Sequence, residues 1–180
     1  MIRLAVPSDV SAVARLQVEA WQAAYRKHMP DSYLDALDPS TRIAMWTAAI
    51  KDPSTVVFVA IHESLLGFCA FLSSRDADAL PEVGEVAALY VDPSRWRSGV
   101  GSALLAASVE SAHRRSFRTL TLWVLAENIP ARAFYEARGF QTDGHTKIEE
   151  LPGFSIQEVR YRRDLTPASR SIDCSPKAGS

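Results

Sequence analysis

A glycine-bearing turn in the middle of the chain is the first feature whose residues could do chemistry. An apolar run over 85–91 stops at Asp92-Pro93, and Gly99-Val100-Gly101 then leads into an alanine- and leucine-rich segment, Ser102 to Arg115. Glycine lets a backbone approach a ligand closely and adopt positive φ angles. The start of a helix adds unpaired amides and about half a positive charge. The spacing therefore predicts a turn whose backbone N–H groups could bind a phosphate.

On its own this turn has a simpler interpretation, because a Gly-x-Gly before a helix is also ordinary turn chemistry. No Gly-Lys-Ser/Thr follows the glycines, which excludes a Walker loop. Ala103-Leu104 stand where a dinucleotide-binding fingerprint would have its third glycine. The ligand class therefore depends on a second feature of the sequence.

That second feature is the segment from Asn128 to Phe140, which carries a tyrosine that could act as an acid. Pro130 is tolerated early in a helix, where its missing N–H would have no partner anyway. Ala131 and Tyr135 lie four residues apart and so share one face of that helix. A tyrosine hydroxyl, with a pKa of about 10, can donate a proton within hydrogen-bond reach. The alternative is that Tyr135 is simply a core aromatic.

Taken in this order, with a strand-like run between them, the two segments resemble the GCN5-related N-acetyltransferase (GNAT) superfamily. The resemblance covers roughly 2–165 and is strongest from Glu85 to Phe140. It implies an α/β (α+β) fold with a mixed, mostly antiparallel central sheet of about six to seven strands, flanked by helices and containing a splayed strand pair. The family's signature turn has the form Arg/Gln-x-x-Gly-x-Gly/Ala, and Trp96 stands here at its first position.

The resemblance also implies an activity, the acetyl-CoA-dependent transfer of an acetyl group to a primary amine by direct attack, through a tetrahedral intermediate. The turn would bind the pyrophosphate of acetyl-CoA, a cosubstrate, through backbone amides. The strand before it would offer backbone groups to pantetheine and to the thioester carbonyl. The implied cofactor-binding residues are Leu89, Tyr90, Val91, Trp96, Arg97, Ser98, Gly99, Val100, Gly101, Ser102, Asn128 and Ala131.

Two catalytic residues are implied in the same way. Tyr135 matches the tyrosine that commonly acts as general acid in the family. Glu85 opens the strand that leads to the turn, where the family often places an acid, and is the candidate general base, directly or through water. The alternative for Glu85 is a solvated charge at a strand end, and Glu82 is a weaker competitor.

The acceptor side is marked only by aromatic residues near the start of the chain. Trp21 and Tyr25 lie four apart on a predicted helix, and the family often lines its substrate site with this region. An aromatic pair at this spacing is also typical of a core. The acceptor, a small-molecule or peptide amine, stays open. A non-catalytic acyl-CoA-binding sensor is the alternative function.

Composition argues against several other classes of function. The 180 residues include 20 Lys and Arg and 21 Asp and Glu, a net charge of −1, which argues against a nucleic-acid-binding protein. No apolar stretch approaches the ~20 residues of a membrane helix, so we expect a cytoplasmic protein without a membrane partner. Cys69 and Cys174 form no Cys-x-x-Cys pair, so no metal site is expected. The resemblance is compatible with a homodimer.

The elements that must position these residues follow from apolar spacing and turn signals. Helices are expected to about Tyr25 and over 41–50, 102–115 and 131–137. Strands are expected over 2–6, 56–61, 65–72, 85–91, 120–125, 140–148 and 154–165. Arg160, Arg162 and Arg163 alternate with Tyr161 and are expected on an exposed edge. The acetyltransferase domain is expected over 1–165, followed by a disordered C-terminal tail over 166–180, which is polar and lacks aromatics.

Overall fold

The computed structural model describes residues 1–165. The predicted disordered tail, 166–180, lies outside the described residues, and the domain boundary at 165 stays a prediction. The strands are β1 (Ile2–Leu4), β2 (Val56–Ile61), β3 (Leu65–Ser73), β4 (Val83–Val91), β5 (Thr119–Leu125), β6 (Gln141–Leu151) and β7 (Phe154–Asp164). The helices are α1 (Val10–Tyr25), α2 (Asp31–Asp35), α3 (Ser40–Lys51), α4 (Val100–Arg114) and α5 (Ile129–Glu136). Within the described residues, no helix combines the length and the apolar character needed to cross a membrane.

The seven strands form one sheet in the order β1-β2-β3-β4-β5-β7-β6. The pair β4 and β5 is parallel, and each of the other neighbouring pairs is antiparallel. The connection between the parallel strands runs through α4, as a parallel crossover requires. The predicted mixed, mostly antiparallel sheet flanked by helices is confirmed.

The parallel strands separate soon after they begin. Their pairing extends from Val83 opposite Thr119 to Glu85 opposite Thr121. Beyond that point β4 continues to Val91 and β5 to Leu125 with no ladder between them in the described structure. The facing edges therefore leave a wedge-shaped gap lined by backbone groups that have no sheet partner. The predicted splayed strand pair lies here.

Helices cover both faces of the sheet, and each face has its own apolar core. On one face, α4 places Leu104 in a buried cluster with Leu120. On the other, α1 places Val13 in a buried cluster with Phe68. Each large apolar side chain buried in this way contributes about 1.5–3 kcal/mol to folding. The doubly covered sheet is thus a rigid frame for the gap between β4 and β5.

Candidate functional site

The turn between β4 and α4 has an unusual backbone conformation. Arg97 has a φ of 61°, and Gly99, which precedes the first residue of α4, has a φ of 89°. A methyl group added at Gly99 would meet no atom within 4 Å. The Trp96 indole Nε1 donates to the Val91 carbonyl at 2.9 Å, so this side chain folds back over the end of β4. The turn is therefore held by local contacts, with Gly99 at the position that favours glycine.

The amides of this turn lack backbone partners. The first bond into α4 runs from the Ala103 N–H to the Gly99 carbonyl at 3.0 Å. The amide of Ser98 donates to the Arg95 carbonyl at 3.3 Å. In the described part of the chain, no hydrogen bond is made by the N–H groups of Arg97, Gly99, Val100, Gly101 and Ser102. Successive unpaired amides at a helix start form the arrangement that binds anions.

Arg138 adds a positive charge beside this turn, and sequence reasoning did not single it out. Its guanidinium hydrogen-bonds the Ser102 hydroxyl and stacks 3.7 Å from the centroid of the Phe134 ring. A Cβ at Gly101 would lie 3.5 Å from the same ring. The start of α4 therefore packs directly against α5, the helix that carries Tyr135.

Tyr135 is half-buried and packs edge-on against two aromatic rings. Its ring centroid lies 5.2 Å from that of Phe134 and 5.9 Å from that of Phe140. Burial raises the pKa of Tyr135, and the nearby Cys69 and Tyr90 raise it further. Among residues 1–165 its hydroxyl makes no hydrogen bond. The group is therefore a protonated, uncommitted donor at neutral pH.

Side-chain hydrogen bonds hold α5 in place. The Asn128 Oδ1 accepts from the Ala131 N–H at 3.1 Å, so the asparagine caps the helix. On the opposite side, Tyr161 of β7 donates to Glu136 at 2.6 Å and accepts from the Arg132 Nε at 3.0 Å. These contacts fix the position from which Tyr135 faces the gap.

A cavity of about 580 Å³ lies on the face of the sheet that α1 covers. Trp21 donates to the Tyr90 hydroxyl at 2.7 Å and stacks edge-on against Tyr25, with 5.1 Å between ring centroids. Seven parts of the fold contribute its wall: α1, the α1–α2 loop, the β3–β4 loop, β4, β5, β6 and β7. Its charged and aromatic lining residues are Trp21, Tyr25, Arg75, Asp76, Glu85, Tyr90, Trp123, Lys147, Glu149 and Glu158.

A β-bulge in β4 brings two of these residues together. Consecutive residues of β3 pair with Val86 and Ala88, which leaves Ala87 without a partner. An extra residue in a strand reverses the face to which the following side chains point. Glu85 and Tyr90 would lie on opposite faces of a regular strand, yet both line this cavity. The bulge is not visible in the apolar pattern of the sequence.

Glu85 is buried and already engaged. Its carboxylate accepts hydrogen bonds from the Arg75 backbone N–H at 3.1 Å, from the Arg75 Nε at 3.3 Å and from Nη2. The expectation of a solvated strand-end charge is therefore wrong. An acceptor amine can use this carboxylate only if the exposed guanidinium moves or if water relays the proton.

Glu158 is a second carboxylate in the cavity that sequence reasoning missed. It lies 3.1 Å from the Lys147 ammonium, whose Nζ is 4.4 Å from the centroid of the Trp123 ring. The pKa values of Tyr25 and Tyr90 are raised, chiefly by burial and in addition by the Glu158 charge. The alternation of polar residues in the last two strands gave no signal that this one faces inward.

The prediction of an exposed Arg160 is wrong. Only 6% of the residue is accessible. Its guanidinium lies 3.1 Å from Asp76 and 2.8 Å from both Asp78 and Asp143. Because Asp76 follows Arg75 in the β3–β4 loop, Arg160 anchors the loop that covers Glu85.

No cluster of three potential metal ligands from His, Cys, Asp and Glu occurs in residues 1–165.

Comparison with known proteins decides the family. A model of the acetyltransferase (GNAT) family matches residues 12–140. The chain belongs to this family. It is 30% identical over 161 residues to the uncharacterized N-acetyltransferase YuaI of Bacillus subtilis, covering 88% of this chain and 89% of that protein.

Other relatives agree with this GNAT assignment. The chain is 34% identical over 168 residues to the probable N-acetyltransferase Rv2775 of Mycobacterium tuberculosis, covering 89% of this chain and 91% of that protein. The PaiA N-acetyltransferase of Thermoplasma acidophilum, solved in complex with coenzyme A, superimposes with a TM-score of 0.72 over 91% of this chain and 98% of that one. At 17% identity, this likeness concerns the fold alone. The protein is thus a GNAT N-acetyltransferase.

The predicted site residues of this GNAT protein fall into three groups. The turn residues from Trp96 to Ser102 lie together at the start of α4. Leu89, Tyr90 and Val91 lie in the part of β4 that does not pair with β5, and Asn128, Ala131 and Tyr135 lie at the start of α5 or within it. Trp21, Tyr25 and Glu85 meet in the cavity, where the Tyr90 side chain joins them.

Proposed function

We propose that the protein binds acetyl-CoA in the gap between β4 and β5 and transfers its acetyl group to a primary amine held in the cavity on the α1 face. The amine attacks directly, through a tetrahedral intermediate. The unpaired amides of Arg97 and of 99–102 carry this proposal, because they lie at one end of the gap between β4 and β5, the strand that leads into the helix of Tyr135. Among solved structures of the same fold, one contains coenzyme A and another, YncA of Salmonella typhimurium, contains acetyl-CoA, which supports the assignment.

The residues present fit acetyl-CoA. The unpaired amides and the dipole of α4 suit a diphosphate, and the open space beside Gly99 lets it approach. Arg97 and Arg138 add positive charge. The edge of β4 that faces the gap offers backbone groups of Leu89 and Val91 to an extended amide chain. When bound, acetyl-CoA supplies a thioester carbonyl as the electrophile.

Glu85 is the proposed base. An alkyl amine has a pKa of about 10.4, so freeing its lone pair at pH 7 costs about 4.6 kcal/mol. A buried carboxylate near the amine lowers this cost by accepting the proton, directly or through a water molecule. Arg75 contacts both carboxylate oxygens of Glu85 and must leave part of the carboxylate open when the amine binds.

Tyr135 is the proposed acid. The leaving thiol resembles cysteine, with a pKa of about 8.5, and needs a proton as the carbon–sulfur bond breaks. The raised pKa of Tyr135 keeps its hydroxyl protonated. Burial also makes the tyrosinate form of Tyr135 unfavourable. Tyr135 therefore donates its proton best when the proton released by the amine then reprotonates its hydroxyl.

Two measurements test the proposal. Acetyl-CoA at 100 times its dissociation constant should add about 2.7 kcal/mol of stability in a thermal-shift experiment. Thiol release with a panel of primary amines should then detect turnover. Binding without turnover of any amine would favour the non-catalytic acyl-CoA sensor, and no binding would refute the proposed cofactor site. The cytoplasmic location and the homodimer stay predictions.

A further inference from the structure

Both cations in the acceptor cavity are paired with carboxylates that are more deeply buried than the cations themselves. The Arg75 side chain is 63% exposed and its partner Glu85 is 5% exposed. The Lys147 side chain is 45% exposed and its partner Glu158 is 17% exposed. The carboxylates sit on short side chains fixed to inner strands, whereas the cations end long, flexible side chains. A ligand can therefore displace the cations and leave the carboxylates in place.

The site that Lys147 occupies is built for an ammonium group. Its Nζ contacts the Glu158 carboxylate and lies over the face of Trp123. The indole is itself fixed, because its Nε1 donates to Asp76 at 2.9 Å. A carboxylate and an aromatic face together attract a cation more strongly than either alone.

The charges around the cavity also favour a bound ammonium group. The Glu158 charge reaches the Tyr25 and Tyr90 hydroxyls, where it disfavours a second negative charge. Glu149 also lines the cavity and forms no ion pair with the residues that the structure describes. Asp76, the fourth carboxylate of the lining, is balanced by Arg160 at 3.1 Å, so Glu149 supplies the excess negative charge. An acceptor carboxylate would be repelled here, and an ammonium would be attracted.

We propose that the acceptor carries a second positive charge, and that Glu158 and the Trp123 face bind this charge in place of Lys147. The acceptor class is then an aliphatic diamine or polyamine. This inference depends on the proposed acetyl transfer, with Glu85 serving the amine that reacts. Glu85 and Glu158 lie opposite Thr121 and Leu125 of β5, a separation along the strand of about 13 Å.

The wall between the two carboxylates suits the chain of such a molecule. Trp21, Tyr25 and Tyr90 present aromatic surface to the same cavity. Methylene groups gain from contact with such surface. A monoamine would make the same apolar contacts and lack the second ion pair. Comparing a diamine with a monoamine therefore measures what Glu158 contributes to the use of the acceptor.

The test compares three acceptors of equal chain length: an α,ω-diaminoalkane, a monoaminoalkane and an ω-amino carboxylate. We expect kcat/KM for the diamine to exceed that for the monoamine about tenfold, the value of one favourable cation–π and carboxylate contact. The ω-amino carboxylate should be the poorest of the three. Equal use of diamine and monoamine, or preference for the ω-amino carboxylate, would overturn the proposal.

Two variants and one control test which residues bind the second positive charge. Glu158→Gln should abolish most of the diamine preference by raising the diamine KM. The matched control is Glu150→Gln, which removes the same charge from an exposed neighbouring position of β6 outside the cavity. Lys147→Gln should lower the diamine KM severalfold, a gain that a purely structural lysine would not give. Equal losses with monoamine and diamine in Glu158→Gln would contradict the role.

Calorimetric binding of the diamine to the protein without acetyl-CoA separates this inference from the proposed function. Binding that is lost in Glu158→Gln supports the diamine site even if no amine is acetylated. Turnover of monoamines without measurable diamine binding supports the proposed function and overturns the diamine site.

Discussion

The turn before α4 and the cavity on the α1 face are built in opposite ways. The turn uses contiguous residues, and the groups that we propose bind the cofactor are backbone amides. The cavity draws on seven parts of the fold, and the groups that we propose bind the acceptor are side chains. Backbone amides are present whatever the residue type. This explains how Trp96 can stand where the family has Arg or Gln without loss of the amide row.

This difference predicts which kinds of substitution each region tolerates. A substitution in the turn should matter through backbone conformation or charge. A substitution in the cavity should matter through the particular atoms that it removes. Four changes, from the largest expected effect to the smallest, test these two regions and the groups that flank them.

Tyr135→Phe should lower kcat by about a thousandfold, because it removes the proton donor and keeps the ring contacts. The dissociation constant of acetyl-CoA should hardly change. Thiol release and calorimetry measure the two quantities. Tyr33→Phe makes the same chemical change where the ring packs on Phe154, 5.0 Å between centroids, and should retain full activity. An unchanged rate in Tyr135→Phe would remove the residue from the acid role.

Glu85→Gln should lower kcat/KM at pH 7 by about a hundredfold, because the amide cannot accept the amine's proton. The defect should shrink as the pH rises toward about 10, where the amine loses its proton unaided. A pH series of thiol-release rates checks this. A loss of equal size at every pH would indicate that Glu85 only maintains structure.

Gly99→Asp should weaken acetyl-CoA binding about thirtyfold, because two phosphate charges near 4 Å each cost about 1 kcal/mol in water. Gly99→Asn is the matched control, since both residues tolerate a positive φ and have the same shape. Calorimetry with acetyl-CoA compares the two. Similar affinities would show that no diphosphate lies beside Gly99.

The smallest effect concerns the acidic pH range. The Arg160 guanidinium lowers the pKa of Asp78 from 3.8 to about 2. The unfolded chain takes up this proton first as the pH falls, so the pair stabilises the fold above about pH 4 and loses its contribution on the way to pH 2. Asp78→Asn should flatten the decline of the free energy of unfolding over this range. Urea denaturation at several pH values measures it, and an unchanged slope would contradict the pairing.

The order and type of the main elements could be predicted, because each depends on neighbours along the chain. The strand ending at Asp92-Pro93 and the helix after Gly99 follow from turn residues and apolar spacing, and both are confirmed. Arg160 could not be placed correctly, because its three carboxylate partners come from the β3–β4 loop and β6. The position of Glu158 in the cavity could not be predicted for the same reason.

The sequence by itself determined the turn before α4, the helix that carries Tyr135 and membership of an acetyltransferase family. These features are local, and their conformation depends on residue types within a few positions. Only the tertiary structure decided which carboxylates line the cavity. That choice depends on the Ala87 bulge, on the register of β5, β6 and β7, and on loops that approach one another from distant parts of the chain. A slip of one residue would turn Glu158 to the other face of the sheet, and no pattern within its own strand specifies the register.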